Sequence, residues 1–300
     1  MAEYGDRLLN MTSRIATAGR SGRCLLCRTA FWWLIVTGFY LALAVGQEKD
    51  SSARSFESVK SFRVMTYNIH HGEGVDGRVD LERIADVIKK ERVDLVALQE
   101  VDKGVARTGR RDFPGELAAL TGMTCVFSNN YHYQGGEYGN AILSKFPILT
   151  WTNTHLQMIR QGEQRGILQT TVSVAGKQVV FMATHIDYRR EDDERIMNVA
   201  EFKRIVKRYS GLPVIICGDF NDTPGSRTYA NMTEEFVDVW AKVGDGPGYT
   251  ITSTNPTKRI DYIWLHKEQD SLEPLRASVI KTPASDHLPL VAELQWRDNR

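Results

Sequence analysis

The chain has 300 residues, 42% hydrophobic and 25% charged, enough to bury a sizeable core in one large domain or two modest ones. Its net charge is +1, and beyond the five arginines and two acids that precede residue 47, 33 basic residues face 35 acidic ones. A body this close to neutrality is not a general polyanion binder, which weakens a purely electrostatic nucleic-acid function.

Arg7, Arg14, Arg20, Arg23 and Arg28 lie ahead of an uncharged run from Thr29 to Val45. The run is at the short limit for a membrane span. A basic flank, an apolar stretch and small residues Ala44 and Gly46 before Gln47 fit an export signal with a cleavage site. Met11 offers a start that would shorten the leader. The rival is an uncleaved anchor with its basic end in the cytoplasm. Residues 1–46 are therefore expected to be a signal peptide or membrane anchor. The rest would face outside the cytoplasm, secreted or periplasmic, with any membrane association running through residues 29–45. Of four cysteines, Cys24 and Cys27 fall in this leader, and no second pair completes a zinc or redox site. Cys125 and Cys217 sit in apolar runs as small buried hydrophobes. Residues 47–60, rich in Ser, Lys and Glu, read as a solvated linker to a domain over 61–300.

From residue 61 strands alternate with helices. Phe62 to Ile69 is a predicted strand. Over Val79 to Glu91, Leu81, Ile84, Ala85 and Ile88 recur on one helical face, with Asp80 as N-cap. Val93 to Leu98 is apolar almost throughout, as a strand covered on both faces should be. Pro114 to Leu120 is a short helix with Gly122 beyond its end. Strands follow at Cys125–Asn129, Asn140–Ser144, Ile148–Met158, Gly166–Val174 and Gln178–Thr184, the last two joined by a turn at Ala175-Gly176-Lys177. Glu191 to Tyr209 is a second long helix, stopped by Gly211-Leu212-Pro213. Val214–Cys217, Arg259–Leu265, Ala277–Ile280 and Leu288–Leu294 complete the strands. About eleven strands and two or three helices fit one α/β domain of two packed sheets with helices outside.

Short polar clusters stand where apolar runs stop: Asn68, Gln99-Glu100, Tyr138-Gly139-Asn140, His185, Gly218-Asp219-Phe220-Asn221, Asp261 and Asp286-His287. They offer hard oxygen donors and imidazoles but no thiol, an inventory suited to a divalent cation such as Mg²⁺ and to phosphate-ester hydrolysis. Glu100, directly after a strand, can bind a metal or pair with a buried base. Asp219 and Asn221, two apart in extended backbone, point the same way and can face one phosphate or metal while Phe220 enters the core; Asn221-Asp222-Thr223-Pro224-Gly225 is also turn chemistry, and an Asx-rich turn there does not exclude a site. Asp261 lies in an otherwise apolar strand and needs a partner. His287 is the partner expected, since a carboxylate fixes the imidazole tautomer and raises its basicity. Asn140 and Tyr138 stand where they can orient His185 or the substrate. His70 and His71 either line the same cleft or are exposed loop residues. Arg107, in the loop Asp102 to Phe113, can hold a substrate phosphate bidentately, and Arg165 is a candidate of the same kind.

In this order, Thr66-Tyr67-Asn68, Leu98-Gln99-Glu100, Tyr138-Gly139-Asn140, Thr184-His185, Gly218-Asp219-Phe220-Asn221, Arg259-Ile260-Asp261-Tyr262 and Ser285-Asp286-His287 resemble the endonuclease/exonuclease/phosphatase superfamily over roughly residues 62–295. The resemblance implies a four-layer sandwich of two mixed sheets flanked by helices. It implies that Asn68, Glu100 and Asp286 help hold Mg²⁺ or Mn²⁺, that Asp219 and Asn221 contact the scissile phosphate or the attacking water, and that Asp261 and His287 form the base-and-orienter pair. His185 matches the second catalytic histidine, with Asn140 standing where an acidic partner is usual. The expected activity is hydrolysis of a lipid head-group phosphodiester or a related one by an exported enzyme. A secreted nuclease is the alternative, and an inactive membrane-tethered binding module the remote one. The expected partner is the phosphodiester substrate; no protein partner is predicted.

Overall fold

A computed structural model describes residues 60–268 and 271–297. The leader and nearly all of the predicted linker lie outside the described residues. Two six-stranded sheets carry the chain. The first contains β1 (Ser61–Asn68), β2 (Leu95–Lys103), β3 (Thr124–Tyr133), β4 (Gly136–Ser144), β11 (Leu272–Val279) and β12 (Leu290–Trp296), in the order β11-β12-β1-β2-β4-β3. The second contains β5 (Ile148–His155), β6 (Gly166–Val174), β7 (Lys177–His185), β8 (Val214–Asp219), β9 (Phe236–Asp238) and β10 (Asp261–His266), in the order β5-β6-β7-β8-β10-β9.

Each sheet is mixed, with one parallel pair near its middle: β1 with β2, and β7 with β8. Parallel neighbours need a crossover. The two predicted long helices supply it, α1 (Leu81–Lys90) in the first sheet and α3 (Asp193–Val206) in the second. α2 (Phe113–Thr121) joins α1 on the first sheet's outer face. The layers follow from burial. Val64, Leu95, Phe181 and Ile215 belong to the core between the sheets, while Leu81, Ile84 and Ile88 of α1 pack on one outer face and Val199 and Phe202 of α3 on the other. The expected α/β/β/α sandwich is therefore observed.

Local signals explain most boundaries. Asp80 caps α1 by accepting from Arg83 N–H at 3.2 Å, and Gly122 ends α2 in the left-handed conformation. Four features depart from expectation. β3 and β4 are one long hairpin through Gln134-Gly135, because the polar stretch between Asn130 and Tyr138 pairs at a sheet edge where no apolar signal is required. β11 starts at Leu272 despite Pro274, which an edge strand tolerates at a register irregularity. α4 (Arg227–Glu235), β9 and α5 (Val239–Val243) have no counterpart in the predicted elements. α4 buries only Thr228 and Met232, too thin an apolar stripe to read, although Ser226 caps it through Tyr229 N–H at 3.1 Å. Cys125 is partly rather than fully buried. Among the described residues no helix is long and apolar enough to cross a membrane.

Candidate active site

The carboxyl ends of the two parallel pairs meet between the sheets, the position at which open α/β sheets build sites. Register puts Asn68 beside Gln99 on one side and His185 beside Asp219 on the other. Asp261, first residue of antiparallel β10, pairs with Asp219, last residue of β8. One amide joins the sheets: Asn68 Nδ2 donates to Glu100 Oε1 at 2.9 Å and to Asp219 Oδ2 at 3.1 Å. Side chains scattered along the sequence thus converge as expected.

Backbone irregularities aim several of them. β2 carries a bulge between Leu98 and Val101, and within it Glu100 has φ 59°, a left-handed conformation that turns its side chain into the cleft. Asn221 also has positive φ, 48°. It does not continue an extended strand beside Asp219, as the i, i+2 argument required. Instead its N–H bonds back to Asp219 Oδ1 at 2.9 Å in an Asx-type turn, which reaches the same juxtaposition by another route. Phe220 enters the core against Phe202, Tyr262 and Trp264, as expected. A Cβ on Gly218 would collide with the Thr184 carbonyl oxygen, so β8 can approach β7 only with glycine there.

The Asp261–His287 pair forms as expected, with His287 Nδ1 2.9 Å from Asp261 Oδ2 and Nε2 3.7 Å from Asp219 Oδ2. Burial opposes the imidazolium, but Asp261, its hydrogen bond and Asp219 outweigh it and raise the His287 pKa. Burial and the nearby Asp261 carboxylate raise that of Asp219, against His287. Ser285, assigned no separate role by sequence, braces the segment: its Oγ donates to the Asn68 carbonyl at 2.8 Å and accepts from His287 N–H at 3.2 Å.

The second histidine departs from expectation. Asn140 does not orient the His185 ring; its Nδ2 donates to the carbonyls of Gly166 and Ala183 at 3.1 and 3.4 Å, bracing β6 and β7. The ring's neighbours are Arg165 Nη1, 3.2 Å from Nδ1, and Asn221 Nδ2, 3.0 Å from Nε2. Burial, then Arg165 and His287, press its pKa well below the ordinary value. Arg165 also donates to Glu163 at 2.7 Å, and that carboxylate faces the Tyr138 hydroxyl. Glu163 went unnoticed in sequence; its one signal was the Glu-x-Arg spacing immediately before Gly166. Arg107 cannot offer its fork to phosphate as expected, because Nε and Nη2 both donate to fully buried Asp102 at 2.8 Å. His70 and His71 form a short 3₁₀ turn, with His70 Nδ1 3.9 Å from Asp286 Oδ1 at the rim.

The donor chemistry fits a divalent cation. Asp219, Asp261 and His287 bring one donor atom each within 4.8 Å of one another and could hold a metal, and Asp261 Oδ1 is buried without a hydrogen-bond partner. Glu100 and Asn68 adjoin this group through Asp219. All the donors are oxygen or imidazole, the set that hard or borderline divalent ions take.

Buried carboxylates and imidazoles gathered at the strand ends of a two-sheet sandwich are the groups that metal-assisted hydrolysis of a phosphoester requires. The chain belongs to the Endonuclease/Exonuclease/phosphatase family, whose sequence profile matches residues 65–287. Members of this family depend on divalent metal. The chain is 26% identical over 249 residues to Uncharacterized protein YbhP of Escherichia coli (strain K12), covering 78% of this chain and 96% of the relative. It is 28% identical over 204 residues to a 5'-tyrosyl-DNA phosphodiesterase of Caenorhabditis elegans, covering 63% of this chain and half (50%) of that protein. The crystal structure of an endonuclease/exonuclease/phosphatase from Beutenbergia cavernae superposes with a TM-score of 0.64 at 25% identity, over 79% of this chain and 72% of that one. The chain is accordingly an enzyme that hydrolyses phosphate ester bonds.

Proposed function

We propose that the chain is an exported phosphodiesterase that hydrolyses lipid head groups by in-line attack of water on phosphorus. The observation that carries the substrate choice is the state of the cations around the site. Arg107 is spent on Asp102, Arg111 on Glu116 and Arg165 on Glu163, while Arg195 pairs with Asp222. These four cations are already neutralised by carboxylates, whereas tracking a nucleic-acid backbone needs several available ones. The loops flanking His185 instead expose Ile159 and Tyr188, 48% and 62% accessible, a rim suited to an amphiphilic substrate. The apolar run Thr29–Val45 supports delivery to a membrane surface outside the cytoplasm.

Within the site, Glu100, Asn68 and Asp286 would hold Mg²⁺ or Mn²⁺, with Glu100 Oε1 fixed by the Asn68 amide at 2.9 Å. When bound, such a cation neutralises phosphate oxygens and steadies the leaving oxygen. His287 lies between two carboxylates, so it serves as a fixed N–H donor to the pentavalent phosphorus oxygens, and Asp219 takes the proton of the attacking water. Asn221 contacts the phosphate beside it.

A nuclease is the second reading, favoured by the likeness to the tyrosyl-DNA phosphodiesterase. A panel of sphingomyelin and phosphoinositide vesicles, DNA and RNA, each with Mg²⁺, decides between them. Head-group release should exceed nucleic-acid cleavage by at least about tenfold in kcat/KM, the discrimination that 1.4 kcal/mol of transition-state binding supplies. Faster cleavage of DNA or RNA would replace this reading with the nuclease. No turnover of any of the four would contradict both the lipid head-group and the nuclease reading.

A further inference from the structure

The loop from β5 to β6 forms one wall of the cleft. At its inner end Arg165 Nη1 stands 3.2 Å from the His185 ring, and Glu163 accepts from Arg165 at 2.7 Å while facing the Tyr138 hydroxyl. The neck is closed by Leu156 N–H, which donates to the Arg165 carbonyl at 2.9 Å, and by Gln164 Nε2, which donates to the carbonyls of Leu156 and Arg165 at 2.7 and 2.8 Å. None of residues 157–164 is buried. Apolar packing therefore does not set the course of this loop, and side chains from elsewhere must.

Those side chains come from α3. Glu194 accepts from Ile159 N–H and Arg160 N–H at 2.9 and 3.2 Å. Asn198 donates to the Gln157 carbonyl at 3.1 Å, and Glu201 accepts from Gln157 N–H at 2.9 Å. Positions 194, 198 and 201 are four and three apart, so they share one face of the helix. All three are buried. α3 therefore carries a polar buried stripe beside the apolar one of Val199 and Phe202. Arg189, just ahead of the helix, donates to the Gln161 carbonyl at 2.9 Å. Burial of a carboxylate opposes folding unless donors meet it. Glu194 Oε2 meets the two amides, and Arg189 Nη1 lies 3.6 Å from Oε1. The outer end of the loop is thus registered on the helix, and the places of Glu163 and Arg165 follow from it. A displacement of about 1 Å in such a wall costs on the order of 10²-fold in rate.

We propose that Glu194 is a positioning residue for phosphoester hydrolysis: through the amides of Ile159 and Arg160 it sets the β5–β6 loop so that Glu163 and Arg165 stand against Tyr138 and His185. It touches no reacting atom and acts only through those residues. Asn68, Glu100 and Asp286 belong to the first sheet and its loops, so their hold on a cation does not depend on this contact. The proposal requires phosphoester hydrolysis alone and holds for whichever substrate the panel selects.

The test is a double-mutant cycle on the full chain, with the best substrate of the panel hydrolysed in Mg²⁺. Glu194→Met keeps the bulk of the side chain and removes both acceptor oxygens. It should lower kcat/KM about tenfold or more, with the Mg²⁺ concentration for half-maximal rate unchanged. Glu194→Gln, which keeps one acceptor oxygen, should retain more activity than Glu194→Met. In the background Glu163→Gln/Arg165→Met, which removes that pair together, Glu194→Met should cost less than about a further threefold, because residues that act through one another are not additive. Ile159→Pro deletes one of the two donated N–H groups from the loop side and leaves α3 intact. It should reproduce both the loss and the non-additivity, so the result does not hang on the folding of Glu194→Met. Wild-type kcat/KM in Glu194→Met or Ile159→Pro overturns the proposal. An equal loss in both backgrounds overturns it as well, since it marks Glu194 as a general support of the fold.

Discussion

Asp219→Ala lowers kcat on the order of 10²–10⁴-fold, roughly 3–5 kcal/mol of barrier, with KM far less affected. Asp219 Oδ2 is shared by Asn68 at 3.1 Å, His185 at 3.5 Å and His287 at 3.7 Å, so its loss removes the one atom that the whole cluster faces. Asp219→Asn, which keeps shape but not charge, should lose a comparable factor. Stability separates lost chemistry from misfolding. Burial and the neighbouring Asp261 raise the folded-state pKa of Asp219 above its ordinary value, opposed by His287. A carboxyl shifted upward stabilises the fold fully only below its unfolded pKa, and that contribution is lost as pH rises through the folded value. In metal-free buffer at neutral pH, Asp219→Asn should therefore melt no lower than the wild type while being nearly inactive. A variant that melts lower, or one that turns over normally, contradicts the assignment.

The largest stability effect is expected at Asp238. Its carboxylate accepts from Arg259 Nη1 at 2.7 Å and from the Tyr229 hydroxyl at 3.0 Å, and it caps α5 through Trp240 N–H at 3.0 Å. Asp238 and Arg259 are both buried. Removing one partner of a buried pair leaves an uncompensated charge, which costs about 3–5 kcal/mol, a large part of the roughly 5–15 kcal/mol that holds a typical domain together. Urea unfolding of Asp238→Ala should show that loss as a lower midpoint with little change in slope. Asp238→Leu/Arg259→Met should recover much of it, because apolar groups of similar volume carry no desolvation penalty. A loss below about 1 kcal/mol, the level of an exposed pair, would contradict the role given to this pair. Arg259 begins the segment that carries Asp261, so the pair anchors the site from behind.

What could be read from the sequence was whatever local pattern dictates. Leu81, Ile84, Ala85 and Ile88 define α1 by spacing alone, and all four are buried. Asp261 could be matched to His287 because a buried carboxylate in an apolar strand demands a partner and few imidazoles were available to supply it. Tertiary choices were not legible. Arg107 and Arg165 looked alike as free cations, yet each is bound by a carboxylate a few residues away, Asp102 and Glu163. Asn140 was placed against the imidazole by analogy, while the amide in fact satisfies two strand carbonyls. α4 and α5 escaped because neither presents a wide apolar face. The Glu100 bulge is invisible to periodicity, since it is the irregularity itself that aims the side chain.

The most direct test of the account is hydrolysis of a simple phosphodiester by the full chain before EDTA, after EDTA, and after readdition of Mg²⁺ or Mn²⁺, run beside Glu100→Gln. The site described above predicts that chelation abolishes turnover, that the cation restores it, and that Glu100→Gln raises the cation concentration needed for half-maximal rate about 10–100-fold. Turnover that survives chelation, or a Glu100→Gln enzyme with unchanged cation dependence, would contradict it.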